Sequence, residues 1–85
     1  METSSLDVNG IEVFVCDLLA DFIEVQPAEI ARDADIFEVY QIESLQLVEM
    51  ITALESKFGK RLDFDDFREA RTAKEISQRV LIAGS

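Results

Sequence analysis

Histidine is absent from the 85 residues, and cysteine occurs once, as Cys16. Without an imidazole, serine hydrolysis in its usual form has no general base, and neither a Gly-x-Ser-x-Gly turn nor the alternating strands of that fold occur. One thiol and no histidine also argue against a zinc site. A single cysteine forms no intramolecular disulfide, which fits a reducing compartment, and Cys16 reads as a small residue at the edge of a helix face. Long apolar runs are missing too. Nothing approaches the roughly 20 residues that span a membrane, and Met1–Asn9 has neither the basic start nor the apolar stretch of a signal peptide. A cytoplasmic chain with no membrane partner is expected.

Basic residues are scarce: 8 Lys and Arg face 18 Asp and Glu, for a net charge of −10. Nucleic acid is therefore excluded as a natural partner, since phosphate binding needs clustered cations. The charge is unevenly placed. Residues 1–55 carry 13 acidic side chains and one basic one, Arg32, whereas residues 56–85 carry 7 basic and 5 acidic. Such an acidic field keeps a protein soluble and can steer a basic partner onto one surface. With 48% hydrophobic residues and 6 Phe along the chain, the sequence is too apolar for a disordered tail. A chain this short supports one core. The expectation is a single monomeric domain over 1–85, with its core in about 11–82.

Ile11, Phe14, Val15, Leu18, Phe22 and Val25 recur at steps of three and four, predicting a helix over Ser5–Val25 that stops at Gln26-Pro27. Glu12 on this helix is expected to lie away from the helix-two surface described below. Residues 26–43 show no sustained period and read as a long loop, of a kind that is usually functional or mobile. Ile36 and Phe37 are expected to pin it to the core. Asp33-Ala34-Asp35 begins like a calcium loop, but Phe37 and Glu38 stand where an oxygen ligand and a glycine are needed. Both aspartates are read as solvated charges, and no metal site is expected.

Ser44 is an N-cap candidate for a second helix running through Leu45–Phe58 and closed by Gly59. Asp65–Ala70 can form one short helical turn. Thr72 with Glu75 three residues on is a capping-box signature, predicting a last helix over Ala73–Ile82. The fold expected is all-α: a small four-helix bundle of three main helices and one short one, with a long loop between helices one and two.

At about 100° per residue, Leu47, Ile51, Leu54 and Phe58 share one arc of helix two and form its core stripe. Leu45 and Val48 lie on the opposite side among Glu49, Thr52 and Glu55, a pattern that suggests a docking surface. Ser44, at the start of this helix, is either a cap or an attachment point.

The stretch from Asp35 through Phe37, Glu43-Ser44-Leu45 and on to Phe58-Gly59 resembles the acyl and peptidyl carrier protein family. In that family a Phe-containing loop leads to an Asp-Ser-Leu motif, then to a helix ending in acidic residues and Phe-Gly. The likeness continues through Leu62, Phe67 and Thr72 and covers about residues 11–82. It implies that a phosphopantetheinyl transferase moves 4'-phosphopantetheine from coenzyme A onto Ser44, and that acyl or aminoacyl groups ride the arm as thioesters. The chain itself would then be no enzyme. Its implied partners are that transferase, an acyl- or aminoacyl-activating enzyme, and downstream synthase or transferase enzymes, docking on Glu43, Leu45, Val48, Glu49, Thr52 and Glu55. Glu43 stands where the family usually has Asp, Tyr40 where it commonly has Leu, and Gln46 where an acidic residue is common. Gln41 replaces a usual Gly and should exclude a backbone conformation that only glycine adopts easily. The alternative is a protein-binding helical module in which Ser44 is only a helix cap.

Overall fold

The computed structural model describes residues 7–83. The chain forms α1 (Val8–Ile23), a 3-10 turn at Pro27–Glu29, α2 (Ser44–Phe58), the single turn α3 (Phe64–Phe67) and α4 (Ala73–Ile82), with no strand among the described residues. The expected three long helices and one short one are all present. The predicted start of helix one at Ser5 lies outside the described residues. Within them, Asp7 caps α1 by accepting from Gly10 N–H at 2.8 Å. The helix ends at Ile23, before the proline, because Glu24 turns left-handed (φ 62°) and Val25 N–H folds back onto the Ala20 carbonyl at 2.9 Å.

α1 packs chiefly on α4 and to a lesser extent on α2. Its buried face consists of Ile11, Val15, Cys16, Leu19 and Ala20, while Phe14, Leu18 and Phe22 are only partly buried. The expected stripe is thus rotated toward the smaller residues, which allow α4 to approach closely. Cys16 is buried rather than at an edge, on the side of α1 that faces Pro27, Ile30 and Arg32, and burial pushes its thiol above the ordinary value. Glu12 is also drawn in. It is 8% exposed and pairs with Arg32 at 2.9 Å, so its carboxylate ties α1 to the long loop instead of facing solvent.

That loop is tied to the rest of the fold at several points. Ile30, Ile36 and Ile42 are all buried. Ile36 N–H donates to the Arg71 carbonyl at 2.8 Å, Lys74 N–H donates to the Arg32 carbonyl at 3.1 Å, and Ala31 N–H donates to the Tyr40 hydroxyl at 2.7 Å. Three apolar anchors and these bonds supply the pairing that an unstructured backbone would otherwise lack. Tyr40 therefore has a bracing role that a leucine could not fill.

Gln41 adopts φ 55°, the left-handed conformation that its side chain was expected to exclude. The turn it makes lets Ile42 plug into the core immediately before α2 begins. A left-handed non-glycine residue costs about 1–2 kcal/mol, more than the roughly 0.5–1 kcal/mol of added unfolded-chain entropy that glycine brings. Gln41→Gly should consequently stabilise the fold by about 0.5–1 kcal/mol in urea denaturation. A glycine variant no more stable than the parent would show that this turn is unstrained.

At the far end, Lys60 Nζ donates to the carbonyls of Leu81 (2.9 Å) and Ala83 (2.6 Å), closing the C-terminus of α4 with a cation. The N-terminus of α4 is held by Thr72, whose hydroxyl accepts from Glu75 N–H at 3.0 Å. Glu75 reaches back one residue further than a capping box requires, accepting from Arg71 N–H at 2.7 Å.

Candidate functional site

Ser44 is the first residue of α2, and the cap position belongs to Glu43. This corrects the reading of Ser44 as N-cap. Gln46 Oε1 accepts from Glu43 N–H at 2.9 Å, so the polar closure of the helix start is made by neighbours. The Ser44 side chain is exposed, and among the described residues its hydroxyl makes no hydrogen bond within the protein. A serine at a helix start suggests a cap because its hydroxyl commonly fills that role. A one-residue shift leaves the same hydroxyl unspent.

From Ser44, the helical repeat carries Val48, Thr52, Leu45 and Glu49 into an outward arc of about 140°. Leu45 is 70% exposed and Val48 43% exposed. Glu43 and Glu49 are exposed beside them, and Thr52 returns its hydroxyl to the Val48 carbonyl at 3.0 Å. Two large apolar side chains left in water next to carboxylates are what the sequence pattern suggested. Glu55 departs from it. Its carboxylate is partly buried and accepts from Leu62 N–H at 2.9 Å, which fastens the chain after α2. On the inner side Leu47, Ile51 and Leu54 are buried as expected, but Met50 joins them at 0% exposed, while Phe58 is only partly buried, edge-on to Phe14 at 5.6 Å.

On its other flank Ser44 opens onto a groove of about 450 Å³ lined by Phe37, Leu47, Phe64, Arg68 and Arg71. Sequence reasoning named none of the two arginines or Phe64 as site residues. The available signal was the switch to basic residues after position 56. Arg71 is held in place: its Nε donates to Asp35 Oδ2 at 2.5 Å, Nη2 reaches Oδ1 at 3.3 Å, and the guanidinium lies 5.0 Å from the centre of the Phe37 ring. Asp35 Oδ1 also accepts from the N–H groups of Phe37 (2.9 Å) and Glu38 (3.1 Å). Asp35 is therefore not a solvated loop charge. The Arg71 guanidinium, with these backbone donors, holds its carboxyl below the usual carboxylate range. This clamp closes the loop over the groove and fixes the Phe37 ring beside Ser44.

The arrangement offers one exposed, uncommitted hydroxyl between an apolar-acidic helix face and a partly cationic groove. Among the described residues no cluster of side chains suited to hold a metal ion occurs, and the hydroxyl is free to accept a group.

The family model described as the phosphopantetheine attachment site matches residues 13–80. The acyl carrier protein of Syntrophobacter fumaroxidans is 30% identical over 71 residues, 84% of this chain and 88% of that protein. The polyketide-8 synthase acyl carrier protein 2 of Streptomyces avermitilis is 37% identical over 60 residues, 71% of this chain and 64% of the relative. In fold, the chain matches the NMR structure of the HMG-ACPI domain of the CurA module from Lyngbya majuscula with a TM-score of 0.78 at 18% identity, covering 95% of this chain and 81% of that one. Taken with the helix order and the unspent serine, these matches establish that the chain belongs to the phosphopantetheine-dependent acyl carrier protein family.

Proposed function

We propose that Ser44 is the residue through which this carrier holds its 4'-phosphopantetheine arm. The observation that carries the reading is the exposed hydroxyl at the first turn of α2, left free because Glu43 and Gln46 close the helix start. The arm, when bound, supplies a terminal thiol that holds acyl intermediates as thioesters. Everything else asked of the chain is positioning. Ser44 Oγ forms the new bond to phosphorus, the phosphoanhydride bond to the adenine nucleotide of coenzyme A breaks, and the hydroxyl proton passes to a base on the transferase. A chain without histidine suits that division of labour. The cap position lies one residue earlier, at Glu43, which supports the attachment reading over the rival reading of Ser44 as only a cap.

The proposed partners are a phosphopantetheinyl transferase, an acyl-activating enzyme and downstream synthase enzymes, met by a cytoplasmic monomer. No helix among the described residues is long and apolar enough to cross a membrane. Incubating the protein with coenzyme A and a broad-specificity transferase should add one phosphopantetheine, on the peptide containing Ser44. An arm found on any other peptide would overturn the assignment.

The docking face is proposed as Leu45, Val48 and Thr52 flanked by Glu43 and Glu49, without Glu55. Glu49→Lys should slow modification by up to about 10-fold at low salt, since it reverses the steering charge beside the exposed leucine and valine. Glu12 is unsuitable as a comparison because it holds Arg32. Asp21, exposed on α1, changes net charge equally without breaking that pair. If Asp21→Lys slows the rate as much as Glu49→Lys does, only overall charge matters and this face has no docking role.

A further inference from the structure

Two arginines share the groove that opens beside Ser44, and they differ in what holds them. Arg71 is tied to Asp35 through both Nε and Nη2 and lies over Phe37. Arg68, just beyond α3, is 66% exposed, and among the described residues its ionic partner is Asp65, 3.6 Å away and 78% exposed. An exposed pair of this kind contributes about 0–1 kcal/mol and exchanges readily for a better anion. Arg68 is therefore the groove's available cation, in a chain whose first 55 residues hold a single basic side chain.

Resting on the reading of Ser44 as the attachment point, we infer that Arg68 anchors the arm: its guanidinium exchanges Asp65 for the phosphodiester on Ser44 and lays the start of the arm in the groove between Phe37 and Phe64. Three features support that occupant. Charge is complementary, because a phosphodiester is anionic at neutral pH and a guanidinium presents paired N–H donors to its oxygens. Position is favourable, because Ser44 and Arg68 line the same groove. The walls suit it as well: Phe37 and Phe64 offer apolar surface to the uncharged part of the arm, and Leu47 forms the floor. The contact is reversible, as a carrier requires, because Arg68 stays open to solvent and its attraction is screened by salt. Arg68 is a positioning residue here, and no chemistry depends on it.

The experiment compares apo protein, holo protein and holo Arg68→Gln, uniformly labelled with 15N, at about 0.01 M and about 1 M salt, where the screening lengths are roughly 30 Å and 3 Å. Intact mass first establishes that each holo sample carries one arm, so failure of the attachment reading is seen separately as a missing mass. In low salt, conversion from apo to holo should shift the Arg68 Nε resonance and leave that of Arg71 in place. The arm's 31P resonance should differ between holo wild type and holo Arg68→Gln, and high salt should remove the difference. Arg68→Lys should retain part of it, having the charge without the fork. An Arg68 Nε resonance that stays put while the arm is present, with matching 31P resonances in wild type and Arg68→Gln, would overturn the inference. So would an Arg68 shift that occurs only after an acyl group bearing a carboxylate is loaded, because the anion recognised would then be the cargo.

Discussion

Ser44→Ala should gain no phosphopantetheine mass under conditions that convert the parent completely, while its urea midpoint stays within the range of about 0.5 kcal/mol typical of an exposed substitution. The first result follows if the Ser44 hydroxyl is the attachment point. The second follows from the helix start: Glu43 sits at the cap, Gln46 accepts from its N–H, and the Ser44 hydroxyl forms no hydrogen bond among the described residues. Had Ser44 been the cap, the same change would remove about 0.5–2 kcal/mol. The two readouts thus test different statements. An arm that persists would remove Ser44 as the attachment point, and a stability loss of 1 kcal/mol or more, as a lost cap typically costs about that, would restore it as the cap.

Where information is local, it was legible along the chain. α4 runs Ala73–Ile82 as the Thr72 and Glu75 pair predicted, because a cap is decided within four residues. Gly59 closes α2 in the left-handed conformation its residue type favours. The outward face with Leu45, Val48 and Glu49 was also visible, since helical period alone separates two sides. What period cannot give is which neighbour covers a face and how far its edge extends. Glu12 and Glu55 look like surface carboxylates in any local window, yet each is spent on a partner elsewhere, Arg32 and the Leu62 N–H respectively.

The Asp35 and Arg71 clamp lies beyond sequence reading for the same reason. Its partners are 36 residues apart, and they meet where Ile36 N–H pairs with the Arg71 carbonyl. Gln41 failed differently. The turn before α2 needs a left-handed residue, and the buried Ile42 holds it there despite the residue type. Tertiary packing outweighed a local preference of about 1–2 kcal/mol.

Phe67→Ala should be the most destabilising single core change, costing about 3–5 kcal/mol. α3 has four residues, far too few to hold a helical turn by backbone hydrogen bonds alone. It exists because Phe67, 1% exposed, is inserted into the core and fixes the segment from inside. In a small domain whose whole stability is of order 5 kcal/mol, the loss approaches complete unfolding. Phe58→Ala, at a residue the sequence pattern puts in the core stripe, should cost less, about 1–2 kcal/mol, because the Phe58 ring is only partly withdrawn from water against Phe14. Phe67→Leu should stay within about 1.5 kcal/mol of the parent by roughly keeping volume. Chemical denaturation of the three variants gives the order directly. If Phe67→Ala unfolds like the parent, or no earlier than Phe58→Ala, α3 is not held by its phenylalanine. The stake reaches the proposed site, since α3 presents Phe64 to the groove and leads directly into Arg68. A variant that loses this anchor therefore loses both the apolar wall and the cation beside Ser44, even in molecules whose three long helices remain folded.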